Sequence, residues 1–209
     1  MIDQIRYNNF TKALSYIFIF AIMNLLLANK NVYSCNGGGG GSAYTPRAQA
    51  LVGFIGAYPG TGYIADALYA FNTEVFADNI PNSIVNKESN TITIAENKFD
   101  ASNNDAKAAV SVCHEEIHIE FGPWSETEAQ SWGPIAMIQH ETMAIAQGRF
   151  CNETFGYPDA NYTALSGLDN IDLLNSVRNS YSDPQKSSNY YLYTVSDAEW
   201  NAFINTQSP

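Results

Sequence analysis

The alternation of apolar and polar residues changes period several times along this chain, and the changes mark its elements. From Leu14 to Ala28 the residues are apolar except for Ser15 and Asn24. After a run of glycines, Pro46 opens an apolar segment, Ala48 to Ala57, which ends at Tyr58-Pro59-Gly60-Thr61-Gly62. A second segment, Tyr63 to Phe76, places Ile64, Ala67, Leu68, Phe71 and Val75 at helical spacing, so the two predict a helical hairpin. From Ser83 the period becomes two. Ile84-Val85, a turn at Lys87-Glu88-Ser89-Asn90, and Thr91-Ile92-Thr93-Ile94 predict a β-hairpin.

Asp100 to Asp105 is a polar loop rich in helix-capping residues, and a helix is expected over 106–121, with Val110, Cys113, Ile117 and Phe121 as its apolar stripe. His114 and His118 sit on the edge of that stripe, and Gly122-Pro123 stops the helix. Ser125-Glu126-Thr127-Glu128 has the form of a capping box, so the next helix should begin at Glu126, kink at Gly133-Pro134 and continue to Gln147 before Gly148. A short helix over Asp169 to Ser180, a tyrosine-rich strand over Asn189 to Thr194 and a final helix after Ser196 complete the reading. The expected fold class is α+β: a mainly helical single domain with a small β-hairpin or sheet packed on helix 106–121.

The first apolar run is too short to span a bilayer comfortably, and Arg6 and Lys12 precede it against Asp3, which is the arrangement of a signal peptide over residues 1–34. Val32-Tyr33-Ser34-Cys35 resembles the lipobox of bacterial lipoproteins, with Tyr33 bulkier than the pattern prefers. The resemblance implies a lipid on Cys35, residues 35–45 as a glycine-rich tether, and 46–209 as the working domain in the cell envelope. Cleavage without lipidation would give a secreted protein, and retention of the run would give a one-span anchor.

Net charge is −11 over the whole sequence, and loss of residues 1–34 would remove more basic than acidic groups. Such a balance argues against nucleic acid and anionic lipid surfaces as partners. Of three cysteines, Cys113 and Cys151 remain beside Cys35. In an exported protein they could pair, or Cys113 could serve as a small buried apolar residue behind helix 106–121.

His114-Glu115-Glu116-Ile117-His118 reads H-E-x-x-H. Positions i and i+4 share one helix face, so both imidazoles can reach one metal ion, and Glu115 is carried close to a water on that ion. A tight site needs a third protein ligand. The metzincin pattern is absent, because Gly122 stands one position late and Trp124 occupies the place of a third histidine. His140, near the far end of the next helix, is poorly placed for the role.

Glu126-Thr127-Glu128-Ala129-Gln130 is close to the E-x-x-A-D or E-x-x-S-D pattern, and here the chain resembles the gluzincin branch of zinc metallopeptidases over about residues 83 to 148. The resemblance implies Zn2+ held by His114, His118 and Glu126, with Glu128 as the rival third ligand. It implies a peptide or protein substrate docked along the edge of the β-hairpin. Glu115 would be the general base, and Tyr190, Tyr191, Tyr193 and Trp124 would be candidates for an oxyanion donor or cleft lining. Three features depart from the family: Gln130 in place of an acid, Glu116 and Glu120 beside the histidines, and a short link from His118 to Glu126. A surface binding protein without catalysis and a secreted effector or toxin are the alternative classes.

Overall fold

The computed structural model describes residues 42–99, 104–157, 162, 164–165 and 167–207. The expected signal peptide and residues 35–41 of the tether, Cys35 among them, lie outside the described residues.

Helix α1 (Thr45–Gly56) carries proline in its first turn, where no backbone donor is lost, and buries Ala48, Leu51, Val52 and Ile55. Helix α2 (Gly62–Ala70) buries Ile64, Ala65, Ala67 and Leu68. Between them the buried Thr61 hydroxyl donates to the Ile55 carbonyl at 2.6 Å and ties the turn to the end of α1.

The expected hairpin partner of α1 is shorter than its periodicity suggests. Helix α2 ends at Ala70, and Glu74–Asp78 is a strand, β1. The stop is a Schellman arrangement: Asn72 takes a left-handed φ of 50°, its N–H donates to Tyr69 O at 3.0 Å, and Thr73 N–H donates to Leu68 O at 2.9 Å. Val75 falls on the helical stripe by coincidence; with Ala77 it forms the buried face of a strand.

Strands β2 (Ile84–Asn86) and β3 (Thr91–Ala95) form the expected hairpin, antiparallel, with Val85 opposite Ile92. Strand β1 joins β3 in parallel, Val75 opposite Ile92, giving the order β1-β3-β2. Strand β3 is central, and Ile92, Ile94 and Ala95 are fully buried. Burying each such isoleucine is worth about 1.5–3 kcal/mol. Strand β2 is an edge.

A 3-10 turn (Glu96–Lys98) follows β3. Helix α3 (Ala106–Phe121) has the predicted bounds. It is buried on nearly all sides, whereas Phe121, the last residue of the predicted stripe, is 47 % exposed. Helix α4 (Glu126–Phe155) begins where the capping box places it, with Ser125 accepting from Glu128 N–H at 3.2 Å. Gly133 leaves the helix with φ 76°, a conformation that glycine reaches without strain, and Pro134 supplies no N–H.

The second limb of α4 runs past Gly148 to Phe155 and stops at Gly156, φ 64°. Gly148 therefore does not end the helix. A Cβ there would lie 2.6 Å from the Tyr162 ring, so this glycine admits a close approach. Helix α5 (Asn170–Tyr181) is capped by Asp169, and α6 (Asp197–Gln207) follows Ser196. The tyrosine-rich segment is a 3-10 turn (Tyr190–Leu192), not a strand; no strand pairs with it among the described residues.

Two apolar cores result. The first joins α1, α2, the sheet and α3, with Cys151 from α4. The second joins α4 to α5, the 3-10 turn and α6 around Trp200. Helices α3 and α4 share the most extensive packing. A disulfide between Cys113 and Cys151 links them, and both cysteines are also fully buried. Closing a loop with a sequence separation of 38 constrains the unfolded chain by about 4 kcal/mol.

Candidate metal centre

Helix α3 presents His114 and His118 one turn apart, with their Nε2 atoms 3.3 Å from each other. The carboxylate that meets them is Glu141, on the second limb of α4. Its Oε1 lies 3.2 Å from His114 Nε2 and its Oε2 3.6 Å from His118 Nε2. Ligand atoms about 2.0–2.2 Å from a tetrahedral ion stand about 3.3 Å apart, close to the 3.2–3.6 Å at which these three groups approach one another. The His114, His118 and Glu141 donor set therefore fits a divalent metal.

The expected third ligand, Glu126, is not in this cluster. It occupies the exposed first turn of α4, where its carboxylate accepts from Tyr191 and from Gln130 Nε2. Glu128 is committed to the cap, its Oε2 accepting from Trp124 N–H at 2.7 Å. The kink explains the correction. The limb before Gly133 closes the corner after α3, and the limb after Pro134 runs antiparallel along α3, so that residue 140 faces His118 while Gln147 and Cys151 face Cys113. Only the second limb passes in front of both imidazoles.

A second E-x-x-A pattern, Glu141-Thr142-Met143-Ala144, carries the carboxylate of this cluster. Ala144 is fully buried, so the small residue lets this limb approach its neighbours closely.

Tyrosine hydroxyls stand beside two of the three donors. Tyr181 O–H donates to Glu141 Oε1 at 2.5 Å, and the Tyr162 hydroxyl lies 3.5 Å from His114 Nδ1. Partners of this kind orient metal ligands and raise their affinity. Burial works against the Glu141 carboxylate, but the hydrogen bond and charge of His114 overcome it and hold the group at about 2. Burial pushes His118 down to about 3, which keeps the imidazole neutral and its lone pair available.

Burial likewise pushes the Glu115 carboxyl up to about 7, a value suited to exchanging protons near neutrality. His140 packs its ring against His118 at 4.8 Å and Trp132 at 5.7 Å, and it stands outside the donor set. Glu116 and Glu120 lie away from the metal face. Glu116 Oε2 accepts from Gln147 Nε2, and burial raises both carboxyls.

Two open cavities, of about 680 and 620 Å³, meet at the cluster. Glu115, His118, Ile84 and Asn189 line both, so Glu115 stands where the two halves of the cleft join. Of the aromatic candidates, Tyr193 is buried beside Tyr181 and lines the larger cavity, Tyr191 is held by Glu126, and Trp124 lies under the Lys87 ammonium at 4.8 Å. Tyr190 is 40 % exposed. Compared with protein-family models, with curated proteins and with solved structures, the chain matches none.

Proposed function

We propose that this protein is a zinc-dependent hydrolase, and specifically a peptidase, in which His114, His118 and Glu141 hold the metal. The observation that carries the reading is the convergence of two imidazole nitrogens and the Glu141 carboxylate from two helices, with separations of 3.3 Å between the nitrogens and 3.2 and 3.6 Å from them to the two carboxylate oxygens. When bound there, zinc would polarise a carbonyl and lower the pKa of water to about 7.

The chain's own residues account for the proton movements and the positioning. Glu115, buried at the junction of the two cavities, accepts the proton of the attacking water and delivers it to the leaving nitrogen. Tyr181 and Tyr162 keep Glu141 and His114 in place. The edge strand β2 has no partner on its cleft side among the described residues, and residues from Asn82 to Glu88 border the cavities. This edge suits an extended peptide, which would add a strand by main-chain hydrogen bonds. The resemblance to gluzincins supports the same reading, now with Glu141 in the carboxylate position. The lipobox-like segment before Cys35 supports action at the cell envelope, and Cys35→Ser should release the protein from membranes.

Elemental analysis of the purified full chain should find about one zinc per molecule, and none after His114→Ala. Glu115→Gln should keep the zinc and lower peptide hydrolysis by about 10²–10⁴-fold. Full activity in Glu115→Gln would contradict the assigned mechanism.

A further inference from the structure

The two halves of the cleft differ in charge. The larger cavity carries Glu88, Glu126 and exposed aromatic rings, and its one lysine, Lys87, is engaged with the Gly122 carbonyl and the Trp124 ring. The smaller cavity carries Lys98 and Lys186 together with neutral polar side chains, among them Ser187, Ser188 and Asn82. Its two acids, Glu115 and Glu141, belong to the metal centre.

The four described lysines are not equivalent. Lys107 donates to Asn97 O, Lys186 pairs with Asp183 at 3.3 Å, and Lys87 is held as above. Lys98 makes no hydrogen bond or ion pair among the described residues. The 3-10 turn after β3 places it half-buried on the wall of the smaller cavity, close enough for its charge to be felt by His114 and Glu115. A chain with net charge −11 repels anions at long range, so one open ammonium inside the cleft creates a local exception.

We propose that the smaller cavity recognises a carboxylate of the substrate through Lys98, with the Ser187 and Ser188 hydroxyls as neighbouring donors. The substrate class is then a peptide bearing an acidic side chain or a free carboxyl terminus on that side of the scissile bond. This rests on the peptidase reading and deepens it. A charge-assisted hydrogen bond to a half-buried ammonium should favour the carboxylate by about tenfold over its neutral isostere.

The test uses binding, so that it does not depend on turnover. Zinc-loaded full-length Glu115→Gln protein is titrated into fluorescein-labelled, alanine-rich hexapeptide pools and followed by anisotropy. One pool carries glutamate with an amidated end, one carries glutamine with an amidated end, and one carries glutamine with a free end. The first or the third should bind about tenfold more tightly than the second, and which of them does so identifies the carboxylate.

Adding Lys98→Met should abolish that difference with zinc content unchanged, Lys98→Arg should retain it, and Lys98→Glu should transfer the preference to a lysine-bearing pool. Equal binding of all pools, absence of binding, or a preference that survives Lys98→Met overturns the inference. Failure of wild-type protein to cleave any pool would count against the peptidase reading alone.

Discussion

Glu126 and Glu141 open the same short pattern on the two limbs of one helix, yet their surroundings are opposite. Glu126 stands in the first turn before the Gly133 kink, exposed, accepting hydrogen bonds from Tyr191 and Gln130. Glu141 stands beyond the kink, 3 % exposed, between two imidazoles and a tyrosine hydroxyl. An exposed carboxylate at a helix start needs no cation beyond the helix dipole. A buried one is costly unless it is paired or coordinates a metal. Burial beside both imidazoles therefore marks Glu141 as the candidate ligand where the local pattern cannot.

The largest effect expected from this contrast is on metal-linked stability. Saturating zinc at a thousandfold its dissociation constant should stabilise wild-type protein by about 4 kcal/mol, read as a rise in melting temperature. Glu141→Ala should lose nearly all of that rise, and Glu126→Ala should keep it. An equal rise in both variants would remove the distinction between the limbs.

A smaller effect should follow removal of the group behind the ligand. Tyr181→Phe deletes the hydroxyl that donates to Glu141 Oε1 without emptying the space. Zinc affinity, measured by competition with a chromophoric chelator, should fall about 10–100-fold. Tyr191→Phe, which deletes the donor to Glu126, should leave it unchanged.

Much of the centre was legible in the sequence, and the reasons are local. Helix α3 is bounded by a polar loop and by Gly122-Pro123, and its H-E-x-x-H spacing needs only helical geometry to align His114 and His118. The start of α4 was equally readable from Ser125 and Glu128. The carboxylate that joins the two histidines was not. Choosing between Glu126 and Glu141 requires knowing which limb lies along α3, and the kink at Gly133 sets that direction in space. The rival signal was present, since Glu141-Thr142-Met143-Ala144 repeats the pattern, but a contact between distant residues has no local signature.

The same limit explains β1. The spacing of Phe71 and Val75 suits a helix, and the left-handed turn at Asn72 overrides it. In the tyrosine-rich segment the β-propensity of tyrosine was outweighed by the 3-10 turn at Tyr190–Leu192, which brings Tyr193 onto Tyr181.

The smallest expected effect belongs to the cap. Glu128→Ala removes the acceptor for Trp124 N–H and should cost about 1 kcal/mol in urea unfolding, with zinc binding intact. Loss of zinc in this variant would show that the first limb takes part in coordination.

Anomalous diffraction at the zinc edge, from crystals of the zinc-loaded protein, tests the central claim most directly. The account predicts one peak about 2.0–2.1 Å from the Nε2 atoms of His114 and His118 and about 2.0–2.2 Å from a Glu141 oxygen, with Glu126 still beside Tyr191. A peak bonded to Glu126, or no peak between the two imidazoles, would contradict it.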